Sequence, residues 1–316
     1  MLPSRQQPRH YETITRSQLE FKKLTLDDVR TIAPMLERSN CRTCDFTIGG
    51  LLMWADYFNY TYAILHDTLF IKGVTEDDVT RPAFSLPIGR MGIEESVDVL
   101  RDYCLEHDAM PLTFSAIPEE FVADFQAVGP AEVTELTDWA DYLYEADALA
   151  SLSGKKLSKK RNHVNRFMTD NPGFEFKQLT TDNLEAVKSF FHATHLPLSK
   201  PALADIEREQ VIHVLDNLDR YPFEGAVLST PTDGIVAFAI GEVVTDTLFV
   251  HIEKMNHLVA GAGETINKMF AEWMTGHHPE VRYINREEDV GDEGLRKAKE
   301  SYHPAEMLKK YNITML

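Results

Sequence analysis

Residues 21–23 read as a short strand, and the pattern then takes helical spacing, with Leu26, Val29, Ile32, Met35 and Leu36 on one face. The same arrangement returns 155 residues later, where residues 176–187 repeat the pattern of residues 21–32 with five of twelve positions identical. There Leu184, Val187, Phe190 and Phe191 form the helical stripe. Each copy reads as a short strand, a Thr or Asp cap and an amphipathic helix. An offset near half the chain predicts a duplicated fold.

The remaining pattern fills in both halves. Residues 63–71 read as a hairpin turning at His66-Asp67, and residues 84–88 as a strand. Residues 94–106 read as a helix with Val97, Leu100, Tyr103 and Cys104 on its apolar face, and 118–125 as a short helix. In the second half, 174–177 is a strand, and 183–193 and 204–218 are helices. Residues 226–229 and 235–243 form a hairpin around Pro231-Thr232-Asp233-Gly234, followed by a strand at 247–254. A helix over 264–274, a strand at 281–285 and a helix at 294–300 complete the series. The fold class is mixed α/β with a largely antiparallel core.

Composition changes this picture at one place. The chain of 316 residues carries 32 basic and 50 acidic side chains, a net charge of −18. Six of the basic residues fall within 155–166, so the remainder carries −24. We place the domain boundary there, giving domains 1–150 and 151–316. A chain this acidic does not bind nucleic acid over its whole surface, and a polyanion needs a local basic patch. Helical spacing puts Lys156, Lys160 and His163 on one face with Lys159 beside them, and Arg161 follows; these side chains are candidates for phosphate or tRNA contact. A solvated helix face explains them equally. The polar start has no apolar signal core, the longest apolar run (235–240) is too short to span a membrane, and three cysteines cannot all pair. These features predict a reduced, cytoplasmic protein without membrane insertion. Cys41-Arg42-Thr43-Cys44 lacks a second ligand pair, so no metal is expected.

Candidate chemistry clusters late in the chain. Residues 258–264 (Leu-Val-Ala-Gly-Ala-Gly-Glu) join a strand to a helix, where glycines and free helix-start amides suit a pyrophosphate. A simple turn is the plain alternative. Strand alternation puts His251 and Glu253 on one face and Ile252 and Lys254 on the other. Glu253 is a candidate general base, against a rim salt bridge. Arg286-Glu287-Glu288-Asp289 can receive a cationic or amine substrate, against an exposed acidic loop. Tyr302 can protonate a leaving group, against simple packing on Pro304.

These motifs, in order, carry a resemblance: Lys155-Lys156, Lys159-Lys160-Arg161-Asn162-His163, Ala237-Phe238, Gly241-Glu242, His251-Ile252-Glu253-Lys254, Ile266-Asn267, residues 284–289, and Gly294-Leu295-Arg296-Lys297-Ala298-Lys299 with Ser301-Tyr302 and Pro304. The sequence resembles soluble proteins related to the C-terminal domain of phosphatidylglycerol lysyltransferase. The resemblance spans nearly the whole chain and is densest over 155–311. It implies two tandem GNAT-like acyltransferase domains, with central mixed sheets flanked by helices, similar to the Fem-type aminoacyl transferases. It further implies that strand 247–254 offers backbone groups to pantetheine and that 258–263 cradles the pyrophosphate of acyl-CoA.

The expected activity is therefore acyl transfer from acyl-CoA to an amine. CoA contacts are expected from Ile252, Lys254, Met255, Val259, Ala260, Gly261, Ala262, Gly263, Glu264, Asn285 and Lys299. His251, Arg286, Glu288 and Asp289 would receive the acceptor. Glu253 or Glu287 would take the amine proton, and Tyr302 would protonate the departing thiolate. Two alternatives stand beside this: an aminoacyl-tRNA donor gripped by the basic helix, and a non-catalytic CoA-binding or regulatory relic. The first domain has no glycine-rich phosphate loop and is expected to be structural. The sequence leaves the acceptor and the oligomeric state open.

Overall fold

The computed structural model describes residues 19–107, 109–194 and 203–316. The first half contributes β1 (Lys22–Lys23), α1 (Val29–Leu36), α2 (Ile48–Leu52), β2 (Thr61–Leu65), β3 (Thr68–Val74), β4 (Pro82–Phe84), β5 (Ile88–Gly89), α3 (Ile93–Glu106), β6 (Thr113–Pro118), α4 (Val122–Val128), β7 (Ala131–Glu135) and β8 (Asp141–Glu145). The second contributes α5 (Ala146–Ser151), α6 (Ser158–Asp170), β9 (Glu175–Gln178), α7 (Thr181–Thr194), α8 (Leu203–Asp216), β10 (Glu224–Thr230), β11 (Gly234–Val244), β12 (Thr247–Met255), α9 (Ala262–His277), β13 (Tyr283–Asn285), α10 (Glu293–Glu300), β14 (Glu306–Leu308) and β15 (Lys310–Met315).

The two sheets repeat one plan. The first runs β1-β2-β3-β4-β6-β15-β7, with β5 also on β3, and the second runs β9-β10-β11-β12-β13-β8-β14. β4/β6 and β12/β13 pair in parallel and the other described pairs are antiparallel. The two repeat segments seen in the sequence open the two sheets as edge strands β1 and β9. The last strand of each half, however, lies in the other half's sheet. β8 sits between β13 and β14, and β15 sits between β6 and β7. Sheet membership therefore does not divide at 150/151, because each sheet is completed only by the exchanged strand.

His66 and Asp67, at φ 48° and 58°, make the tight turn of the β2/β3 hairpin, where positive φ at both positions matches the strand twist. The region read as one strand at 84–88 is two short strands, β4 and β5. Pro118 ends β6, and its helix starts later, at Val122. One face of the second sheet, including Phe238, Ile240 and Ile252, shares a core with α7 (Val187, Phe191) and with first-half residues such as Leu36 and Phe70. The other face, including Ala237, Leu248 and Val250, packs on Leu149, Val164, Phe167, Ile266 and Phe270 of α5, α6 and α9. The tight union of the halves follows from that shared core and the two exchanged strands.

Candidate functional site

The site begins where β12 and β13 part. β13 pairs with β12 only from Thr247 to Phe249, while β12 continues to Met255. Against β11, β12 carries a bulge: Ile240 faces Ile252, yet Gly241 faces Val250. The extra residue reverses the strand's phase. His251 and Ile252 therefore both face the first half, with Gly49 against His251 and Ile252 in the shared core. Glu253 and Met255 face α9, through Asn267 and Gly263. Strict alternation had put His251 and Glu253 together; the bulge separates them. Lys254 turns to α8, where its ammonium pairs with Glu207 at 2.5 Å.

On the α9 side, Glu253 accepts from Asn267 Nδ2 at 2.9 Å and from Arg286 Nη2 at 3.0 Å. A carboxylate with both oxygens so engaged holds other groups in place. Arg286 lies 4.8 Å from the centre of the Tyr302 ring and 6.0 Å from that of Tyr144. Lys160 approaches the Tyr302 ring at 4.2 Å and pairs with Glu264 at 3.5 Å. Burial pulls Lys160 below its ordinary pKa, against the pull of Glu264. Burial also pushes the Tyr302 phenol well above the tyrosine range, so it keeps its proton and can donate. Its hydroxyl makes no hydrogen bond among the described residues. Arg286 Nη1 and Asn267 Oδ1 are buried and also lack partners. Unpaired buried polar atoms are costly and mark a place where a ligand or water completes the network. Residues named separately in the sequence (Lys160, Glu253, Glu264, Arg286, Tyr302) thus meet in one notch, joined by Asn267, which the motif series included without a role, and by Tyr144, which was not named.

The first-half side is a different environment. His251 is fully buried, with Nδ1 2.7 Å from Glu287 Oε1 and Nε2 2.9 Å from Glu242 Oε1. Burial alone would lower its pKa, but these two carboxylates outweigh it and lift the value to about 10. Glu242 also accepts from the Gly49 amide at 2.7 Å, and a Cβ on Gly49 would strike the imidazole. Glu287 sits at φ 58°, a left-handed conformation that a glutamate holds only when its surroundings fix it.

The three acids expected to receive a cation are each internally engaged. Glu287 holds His251. Glu288 accepts from Cys44 and lies 3.7 Å from the Lys310 ammonium, and burial lifts it to about 7. Asp289 is gripped by Arg296 and Tyr142. Asn285 donates to Asp141 and to the Arg42 carbonyl, and Lys299 is buried against the Glu288 carbonyl. The side chains of Ile252 and Lys254 lie in the shared core and against α8.

Within the expected pyrophosphate loop, the amides of Leu258, Val259 and Ala262 bond to Asn256 and to the Val259 carbonyl. Gly261, at φ 80°, lets α6 approach so closely that a Cβ would meet the His163 carbonyl at 2.6 Å. Glu264 already places a carboxylate in the first turn of α9. Ala260 and Gly263 complete the loop. The loop also buttresses α6. On α6, Lys160 points into the notch and Arg161 caps the Leu152 and Gly154 carbonyls. Lys155, Lys156 and Lys159 are exposed and make no ion pair among the described residues.

Cys44, Asp45 and Asp141 bring potential metal ligands within 4.8 Å of one another. The Lys310 ammonium lies 2.8 Å from Asp141, 2.9 Å from Asp45 and 3.4 Å from Cys44 Sγ, and fills that cation position. Cys41, Cys44 and Cys104 are buried free thiols.

The family model for the C-terminal domain of phosphatidylglycerol lysyltransferase matches residues 37–314. The chain belongs to this family. A conserved protein of unknown function from Bacteroides thetaiotaomicron VPI-5482 is 31% identical, with a TM-score of 0.83 over 95% of this chain and 100% of that one. FemX matches at 10% identity and a TM-score of 0.59 over 94% and 97%, which supports the tandem GNAT-like fold. An uncharacterised protein from Mycoplasmoides gallisepticum is 22% identical over 180 residues, spanning 56% of each chain. Membership of the lysyltransferase C-terminal family makes this chain a relative of aminoacyl and acyl transferases. Among its described residues, no helix is long and apolar enough to cross a membrane.

Proposed function

We propose that the chain transfers an aminoacyl group from a tRNA-borne ester to a nucleophilic acceptor, at the notch between β12 and β13. The observation that carries this reading is the continuity of α6 with the notch. Exposed Lys155, Lys156 and Lys159 form a basic approach in a chain of net charge −18, and the adjoining Lys160 lies on the Tyr302 ring beside Arg286. A polyanionic carrier held on the lysines would deliver its ester to the buried donors.

In the reaction, the acceptor attacks the ester carbonyl and negative charge grows on its oxygen. Arg286 Nη1 and the Tyr302 hydroxyl are the unpartnered donors available to that oxygen, and Glu253 holds Arg286 in position. Glu253 is engaged by Asn267 and Arg286, and Glu287 holds His251 on the opposite face of β12, so the acceptor's proton passes to solvent. Tyr302 then protonates the departing ribose oxygen. The acyl-CoA alternative finds less support, because the 258–263 loop packs on α6 at Gly261 and carries no basic side chain for a pyrophosphate.

The test is single-turnover transfer of radiolabelled amino acid from a charged tRNA pool into an acid-stable product, with acetyl-CoA assayed in parallel. Transfer from tRNA, slowed in Tyr302→Phe while tRNA binding persists, is the expected result. Label moving only from acetyl-CoA would overturn the donor assignment. Binding of tRNA without any transfer would make the chain a non-catalytic relative.

A further inference from the structure

One unsatisfied atom of the notch has no part in the transfer proposed above. Asn267, on α9, is only 4% exposed. Its side chain meets Glu253, and a carboxylate only accepts hydrogen bonds. The amide therefore turns Nδ2 to Glu253 Oε2, at 2.9 Å, and Oδ1 away from it. Oδ1 is buried and has no partner among the described residues. Arg286 holds the other Glu253 oxygen through Nη2 at 3.0 Å, and its Nη1 is likewise buried without a partner. One carboxylate thus fixes a free acceptor and a free donor, one from each of its two oxygens. The side chains of Glu253 and Arg286 are 12% and 13% exposed, so the cluster touches solvent. A buried acceptor left without a hydrogen bond is costly, and a ligand group that donates to it recovers the loss.

We propose that Asn267 is a specificity residue: its Oδ1 accepts a hydrogen bond from the free α-amino group of the acyl donor, so the notch takes α-aminoacyl esters in preference to simple acyl groups. This rests on the transfer reading above and deepens it. An aminoacyl ester carries an acceptor, its carbonyl oxygen, and a donor, its amine, on adjacent carbons. The notch offers the complement, with Arg286 Nη1 for the oxygen and Asn267 Oδ1 for the amine. The carboxylates of Glu253 and Glu264 are engaged by Arg286 and Lys160, and the Tyr144 hydroxyl donates to the Lys299 carbonyl. Asn267 Oδ1 is therefore the unengaged oxygen of the notch that can only accept. A simple acyl group supplies the carbonyl alone and leaves Oδ1 buried and unsatisfied, which is how sites reject analogues lacking one polar group.

The test measures single-turnover transfer by the whole chain from two matched pairs of charged tRNA, lysyl against ε-aminocaproyl and alanyl against propionyl. The members of each pair differ only in the α-amino group. The readout is the ratio of rates within a pair, compared between proteins, because the amine also activates the ester by itself. In Asn267→Ala this ratio is expected to fall roughly ten- to a hundredfold, with tRNA binding retained. Asn267→Leu, closer in shape, repeats the measurement should the smaller side chain unfold the chain. Asn267→Asp keeps an acceptor oxygen and should keep most of the ratio, although it loses the bond to Glu253 and slows both donors. If Asn267 only positions Glu253, both donors slow together and the ratio stays at its wild-type value. That result would overturn the inference and leave aminoacyl transfer standing. A ratio lost in Asn267→Asp as fully as in Asn267→Ala would also count against it. Wild type that moves neither lysyl nor alanyl groups would remove the transfer reading and this inference with it.

Discussion

Arg286 donates through Nη2 to Glu253 and leaves Nη1 buried without a partner, so its geometry matters as much as its charge. Lysine in its place would keep a cation for Glu253 but lose the planar fork. Arg286→Lys is expected to lower kcat by roughly 10²–10³ with Tm little changed, the usual loss when one oxyanion donor is removed. Unaltered single-turnover rates would remove Arg286 from the chemistry. His251 makes a separate prediction about stability. Its folded pKa, about 10, lies above the unfolded value near 6.5. Its contribution is then complete below about pH 6.5 and is lost as pH rises through about 10. Urea unfolding of wild type should weaken across that window, and His251→Gln should flatten this part of the profile. Identical pH profiles for the two proteins would refute the clamp. The identities of Arg286, Tyr302 and Glu253 were legible as candidates in the sequence. The role of Asn267, quoted only as part of a motif, and the presence of Tyr144 were not, because a lone Asn on a helix and a Tyr on an unrecognised strand carry no spacing signal.

At the scale of elements, the exchanged strands decide how the molecule holds together. β15 enters the first sheet between β6 and β7, and its first residue, Lys310, is 1% exposed among Asp45, Asp141, Cys44 and Glu288. Removing one partner from such a buried ionic group leaves uncompensated charge and costs about 3–5 kcal/mol. Lys310→Ala should therefore destabilise the chain by that order in urea unfolding. Limited proteolysis of the variant should open the first half before the second. Protection of both halves to the same degree would argue against β15 as the piece that closes the first sheet. The long amphipathic helices and the hairpins were legible because their periodicity is local. β6, β7, β8, β14 and β15 were not, since short strands buried by distant neighbours follow tertiary packing more than pattern. The bulge in β12 escaped for a similar reason: alternation describes an ideal strand, and only the register with β11 reveals the extra residue.

Across the whole molecule, an acidic chain presents one basic approach to its notch. If Lys155, Lys156 and Lys159 each neutralise a phosphate, replacing all three with Gln should reduce the salt slope of tRNA binding by roughly 2–3. Filter binding across a salt series measures this, and an unchanged slope would move the polyanion elsewhere. The duplicated architecture, the family and most of the residues in the notch were legible in the sequence itself. Repeats, net charge and motif order are properties of the chain and survive without coordinates. The tertiary structure decided which residues meet. It turned Glu287, Glu288 and Asp289 inward to His251, Lys310 and Arg296, and took Arg161 out of the basic face. It gathered Lys160, Glu253, Arg286 and Tyr302 around one notch from positions up to 142 residues apart. The physical reason is that the pairing of buried charges depends on distances in space, which strand exchange and a single bulge reset without leaving a mark on the local pattern.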